Sequence, residues 1–104
     1  MAWRYFRRLS EVATLYGLYR CPENGKRIYQ QKLEDVEIYR QDGSWLSNQR
    51  QKLIDAEVKG WFGESEDEIS EEQALLLMSK ISSGQVRYGF EEWIRQRREW
   101  GLEG

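Results

Sequence analysis

Histidine is absent from this chain of 104 residues, cysteine and proline occur once each, and no long hydrophobic run is present. Each absence excludes some chemistry. Without histidine the chain has no usual general base, lacks the commonest metal ligand and cannot form a Ser/His or Cys/His nucleophile pair. The lone thiol, Cys21, allows neither an intrachain disulfide nor a multi-cysteine zinc site. The nine glycines are scattered and form neither a phosphate-binding loop nor a dinucleotide fingerprint. The longest apolar run, Ala74 to Met78, is far below the roughly 20 residues that span a bilayer. No continuous apolar stretch follows Met1, so no secretory signal is expected. With one thiol and no leader, the expected location is the cytoplasm, with no membrane partner.

Aromatic residues and charge are plentiful. Five Trp, six Tyr and three Phe help fill a small core, because each ring buries roughly 150–250 Å². The net charge of −2 hides an asymmetry. Residues 1–32 carry Arg4, Arg7, Arg8, Arg20, Lys26, Arg27 and Lys32 against Glu11 and Glu23. Residues 64–82 carry Glu64, Glu66, Asp67, Glu68, Glu71 and Glu72 against Lys80. Such segments either attract each other within the fold or turn toward a partner.

The length suits one domain, 1–104, with residues 1–46 rich in strands and 47–104 rich in helices. Residues 2–8 alternate as a strand, with Trp3 and Tyr5 on one face and Arg4, Phe6 and Arg8 on the other. A second strand is predicted from Thr14 to Cys21, a turn at Pro22-Glu23-Asn24-Gly25, and a third strand over Lys26–Gln30. Val36–Arg40 and Ser44–Leu46 flank an Asp42-Gly43 turn. The period then changes. Ile54, Val58, Trp61 and Phe62 predict a helix opened by Ser47, with Gly60 ending or weakening it. Residues 63–68 read as an acidic connector. Ser70 and Gln73 form a capping box for a helix in which Leu75 and Leu76 widen the apolar stripe, predicted to be the most buried helix. A last helix runs from Phe90 to about Trp100, ended by Gly101 and Gly104. The expected fold is α+β: an antiparallel meander of three to four strands, then two to three helices packed on one face.

No residue is assigned a catalytic, cofactor-binding or metal-ligating role. Glu64-Ser65-Glu66-Asp67-Glu68 lacks the ligand spacing and glycine of a calcium loop and reads as a solvated linker. Trp93, Arg97 and Trp100 are the candidate protein interface, since Trp and Arg are enriched at binding hot spots. Trp3, Arg4, Tyr5, Arg7, Arg8, Arg20 and Arg27 are the candidate nucleic-acid contacts, provided they share one exposed face.

The order of these features resembles small uncharacterised bacterial proteins of the actinobacterial type. Arg4-Tyr5-Phe6-Arg7 and Leu18-Tyr19-Arg20 suggest their hairpin sheet, followed by Glu37, Tyr39 and Gly43-Ser44-Trp45. Ile69-Ser70-Glu71-Glu72-Gln73-Ala74 matches their I-S-E-E-x-A helix start, so the resemblance spans about residues 3–78. It implies no activity, cofactor or site residue. The expected function is a non-enzymatic protein-interaction or regulatory module, docking another protein or pairing as a homodimer. Single-stranded nucleic-acid binding by the N-terminal strands is the alternative.

Overall fold

The computed structural model describes residues 2–10, 12 and 14–101. Its fold is α+β. Five strands, β1 (Trp3–Leu9), β2 (Leu15–Pro22), β3 (Glu37–Tyr39), β4 (Trp45–Leu46) and β5 (Glu68–Ile69), form one antiparallel sheet in the order β4-β3-β2-β1-β5. Three helices, α1 (Arg50–Val58), α2 (Glu71–Ser82) and α3 (Gly89–Glu99), complete it.

The predicted alternation in β1 sets the two faces. Phe6 stands opposite Tyr19, which stands opposite Ile38, while Tyr5 stands opposite Arg20 and Ile69. The first face packs on Phe62, whose ring centroid is 5.9 Å from that of Phe6. On the other face, Tyr39 reaches Ser82 of α2 with an Oη–Oγ distance of 2.5 Å. Phe6, Leu18, Tyr19 and Ile38 are fully buried, and Tyr5 and Tyr39 are nearly so. The sheet is therefore covered on both sides.

Two further corrections concern ladders. Residues 26–30 form no strand; Ile28–Gln30 is a 3₁₀ turn, and Leu33–Asp35 another. The Ile28 N–H that a ladder would have used donates instead to Glu64 Oε1 at 3.1 Å. Conversely, the acidic connector ends in a strand, β5. Arg4 grips Glu68 through two hydrogen bonds, Nε to Oε2 at 3.1 Å and Nη2 to Oε1 at 2.9 Å, beside the Phe6–Glu68 rung.

The capping box at α2 forms as predicted: the Ser70 side chain accepts from Gln73 N, and Gln73 Oε1 accepts from Ser70 N. Ala74 and Ile81 are buried, but Leu75 and Leu76 are exposed, so they do not widen the core stripe. Helix α1 is shorter than its pattern suggested. It starts after Gln49 rather than at Ser47, and Val58 is 82% exposed. Gly60, at φ +79°, turns the chain into the left-handed region that a glycine adopts freely. Trp61 N then donates to Ala56 O and Gly60 N to Glu57 O, a Schellman stop that swings Trp61 out of the helix. Helix α3 ends near Gly101, while Gly104 lies outside the described residues.

Helix α3 is joined to the sheet by Tyr88. Its buried hydroxyl accepts from Leu18 N at 3.0 Å and donates to Tyr39 O at 2.8 Å, bridging β2 and β3 just beyond their last paired residues.

Candidate functional site: a cationic and aromatic cleft

The ends of β1, β2, α1 and α3 meet around a surface cleft. A hollow of about 440 Å³ is lined by Arg8, Leu9, Ser10, Tyr16, Gly60 and Trp61. It shares Arg8, Tyr16 and Trp61 with a smaller hollow of about 170 Å³ that adds Lys52, Asp55, Ala56, Lys59 and Trp93.

Local structure explains the convergence. Arg8 pairs with Gly17 and Leu9 with Leu15, so Tyr16 has no partner on β1. Such a bulge re-aims a side chain, and the Tyr16 ring lies 4.2 Å from the Arg8 guanidinium. Lys52 and Asp55 on α1, and Lys59 capping its C-terminus, recur at helical spacing and share one side. The Schellman turn delivers Trp61, 49% exposed, with Lys59 Nζ at 4.9 Å and the Arg8 guanidinium at 5.9 Å from its ring centroid. On α3, Trp93 and Arg97 are four apart, with the guanidinium 4.8 Å from the indole centroid. Lys52 Nζ lies 4.5 Å from that same indole, which stacks on Phe90 at 6.0 Å.

Tyr19 lies beneath this surface. Gly17 makes room for it, since a Cβ there would meet Tyr19 Cε1 at 2.7 Å. Burial pushes the Tyr19 phenol up to about 12, against the pull of the Arg8 guanidinium. The hydroxyl stays neutral and has no hydrogen-bond partner among the described residues.

The cleft is electrostatically unbalanced. Six ion pairs among the described residues join Arg4, Arg20, Arg27, Arg40 and Arg87 to Glu64, Glu68, Glu37, Glu91 and Glu92. None involves Arg8, Lys52 or Lys59. Asp55 is the one carboxylate lining either hollow, and its Oδ1 accepts from Gln51 Nε2 at 2.9 Å. Burial, then repulsion from Arg97 and Arg8, hold the Lys52 ammonium below the usual lysine range.

Of the candidate interface residues, Trp93 and Arg97 are brought together at the cleft, while Trp100 is 67% exposed at the end of α3. The candidate nucleic-acid residues do not share one exposed face. Tyr5 is buried. Arg4 and Arg27 bind Glu64 on one side of the sheet. On the other, the Arg20 guanidinium lies 3.9 Å from the Trp3 ring centroid and 4.1 Å from that of Trp45, and its Nε donates to Glu37 at 2.7 Å. Arg8 alone of that set reaches the cleft. Sequence reasoning missed Tyr16, Lys52, Lys59 and Trp61 as site residues. Gly60-Trp61 was the available signal, because a glycine stop before a tryptophan removes it from the helical stripe.

Among the described residues no group of three or more Cys, Asp or Glu stands close enough to hold a metal ion, and no helix is long and apolar enough to cross a membrane. Comparison with known proteins finds no family model that matches, no similar curated protein and no similar solved structure, so the resemblance to small actinobacterial proteins stands on its motifs alone.

Proposed function

We propose that this protein is a non-enzymatic docking module whose cleft takes up an acidic segment of a partner protein. One observation carries the reading: Arg8, Lys52 and Lys59 converge on Tyr16, Trp61 and Trp93 in a hollow lined by a single carboxylate, Asp55. Arg8, Lys52 and Lys59, in no ion pair among the described residues, supply complementarity for carboxylates, and exposed indole supplies apolar contact.

The cationic surface is short, which favours a peptide over a long polyanion. Glu66 and Asp67 line the hollow beyond Trp61, and Glu92 lines the one beyond Tyr16 and Trp93. A nucleic-acid strand running past the cleft would meet those carboxylates, whereas a few glutamates or aspartates beside an apolar residue would fit between them.

The test is titration of a labelled Glu-rich peptide against the full chain, followed by tryptophan fluorescence. Binding should weaken as salt rises, and Arg8→Glu or Lys59→Glu should lower affinity about tenfold or more, since truncating or reversing interface charges costs over ~1.4 kcal/mol. A single-stranded oligonucleotide that binds while the peptide does not would replace this reading with the nucleic-acid one. Salt-sensitive self-association without peptide binding would replace it with a homodimer.

A further inference from the structure

Lys52 is set apart by where its amine is placed. Nζ lies 4.5 Å from the centroid of Trp93 and 5.6 Å from that of Phe90. The Arg97 guanidinium shares the Trp93 ring at 4.8 Å. Arg8 and Tyr16 close the same hollow from the sheet, Asp55 from α1 itself and Lys59 from its C-terminal cap. No ion pair among the described residues includes Lys52, and its side chain remains open to solvent.

Two influences compete at that nitrogen. The ring faces favour the ammonium. Partial burial against those rings, with Arg97 and Arg8 close by, favours the free amine and draws the group below the usual lysine range. An amine with an available lone pair among fixed cations is a nucleophile that also concentrates anionic reagents.

We propose that Lys52 is a modification site, an amine that accepts an acyl group from small anionic donors of the acyl phosphate class. The Nζ lone pair attacks the carbonyl carbon. The N–C bond forms, the C–O bond to phosphate breaks, phosphate leaves with the electron pair, and the amine proton passes to solvent. Arg8 and Arg97 offset the charge of the arriving donor and of the departing phosphate. The product is a neutral amide, so each acylation removes one cation from the cleft. That the amide weakens docking rests on the function proposed above; the acylation itself does not.

The test treats the native full-length protein with acetyl phosphate near neutral pH and follows each lysine by peptide-resolved mass spectrometry. Lys26 and Lys32, exposed around the two 3₁₀ turns, are internal controls. Lys52 should acetylate first, by roughly threefold for each unit that its pKa falls, a tenfold gain in free amine being partly offset by lower intrinsic nucleophilicity. Its lead should narrow as pH rises into the ordinary lysine range, and Arg97→Gln should erode it. Labelling of Lys52 no faster than that of Lys26 and Lys32 would overturn the proposal. Binding of the Glu-rich peptide by unmodified protein tests docking alone, so the two ideas fail separately.

Discussion

Glu64 is 5% exposed and ionised, a combination that is costly unless both carboxylate oxygens are matched. Arg4 Nη1 donates to Oε2 at 3.0 Å, while Arg27 Nε and the Ile28 N–H donate to Oε1 at 3.2 and 3.1 Å. Burial opposes the charge, but the Ile28 N–H, Arg4 and Arg27 outweigh it and hold the carboxyl below the usual range. Glu64→Gln should therefore destabilise the fold by about 1–3 kcal/mol in urea denaturation at neutral pH, the cost of unmatched buried donors. A depressed carboxylate contributes fully above the unfolded value of ~4.3 and loses its contribution as pH falls through the folded value. The gap between wild type and Glu64→Gln should thus be flat near neutrality and close in acid; a gap that persists unchanged in acid would disprove the assignment. Cys21 presents the opposite case. It is fully buried, and burial pushes its thiol up to about 11. A disulfide reagent at neutral pH should leave it untouched in native protein and label it promptly once urea unfolds the chain.

Helix α3 is tied down by Phe90 in the core, by Glu91, which accepts from Arg40 and Gln41, and by a polar wedge, the Tyr88 hydroxyl between Leu18 N and Tyr39 O. Tyr88→Phe keeps the ring and leaves a buried donor and acceptor unmatched. The expected loss is about 1–3 kcal/mol, with faster amide exchange at Leu18 and through α3 than through α2. Equal exchange in both helices would mean that the wedge does not fasten α3. None of this was legible in the sequence, because Tyr88 lies 70 residues from Leu18 and the hydroxyl stands in for a ladder rung. What was legible is local. The alternation of Trp3–Arg8, the Ser70 capping box and the Phe90-Trp93-Arg97 face each depend on neighbours within a few residues. β5 was hidden because its pairing with Tyr5 and Phe6 is long-range, and the cleft because a bulge at Tyr16 and a Schellman turn at Gly60 re-aim their side chains without changing the hydrophobic pattern.

Over the whole molecule, part of the charge segregation seen along the chain is consumed inside the fold. Arg4 and Arg27 from the basic first third meet Glu64 and Glu68 from the acidic segment. Arg8, Lys52 and Lys59, in no ion pair among the described residues, meet at the cleft, where like charges repel: Arg97 and Arg8 both bear on Lys52. A cluster of like charges opposes folding and is retained where binding requires it. Lys52→Met preserves the stem against Phe90 and Trp93 while removing the charge. It should raise stability by about 0.5 kcal/mol, the scale of relieving a surface charge clash, and at the same time weaken the Glu-rich peptide. A purely structural cluster behaves the other way, because loss of the cation–π contact would lower stability and leave peptide affinity unchanged. Thermal unfolding and peptide titration on the same variant therefore separate a docking surface from a scaffold, with the two measurements moving in opposite directions only if the cations are there for a partner.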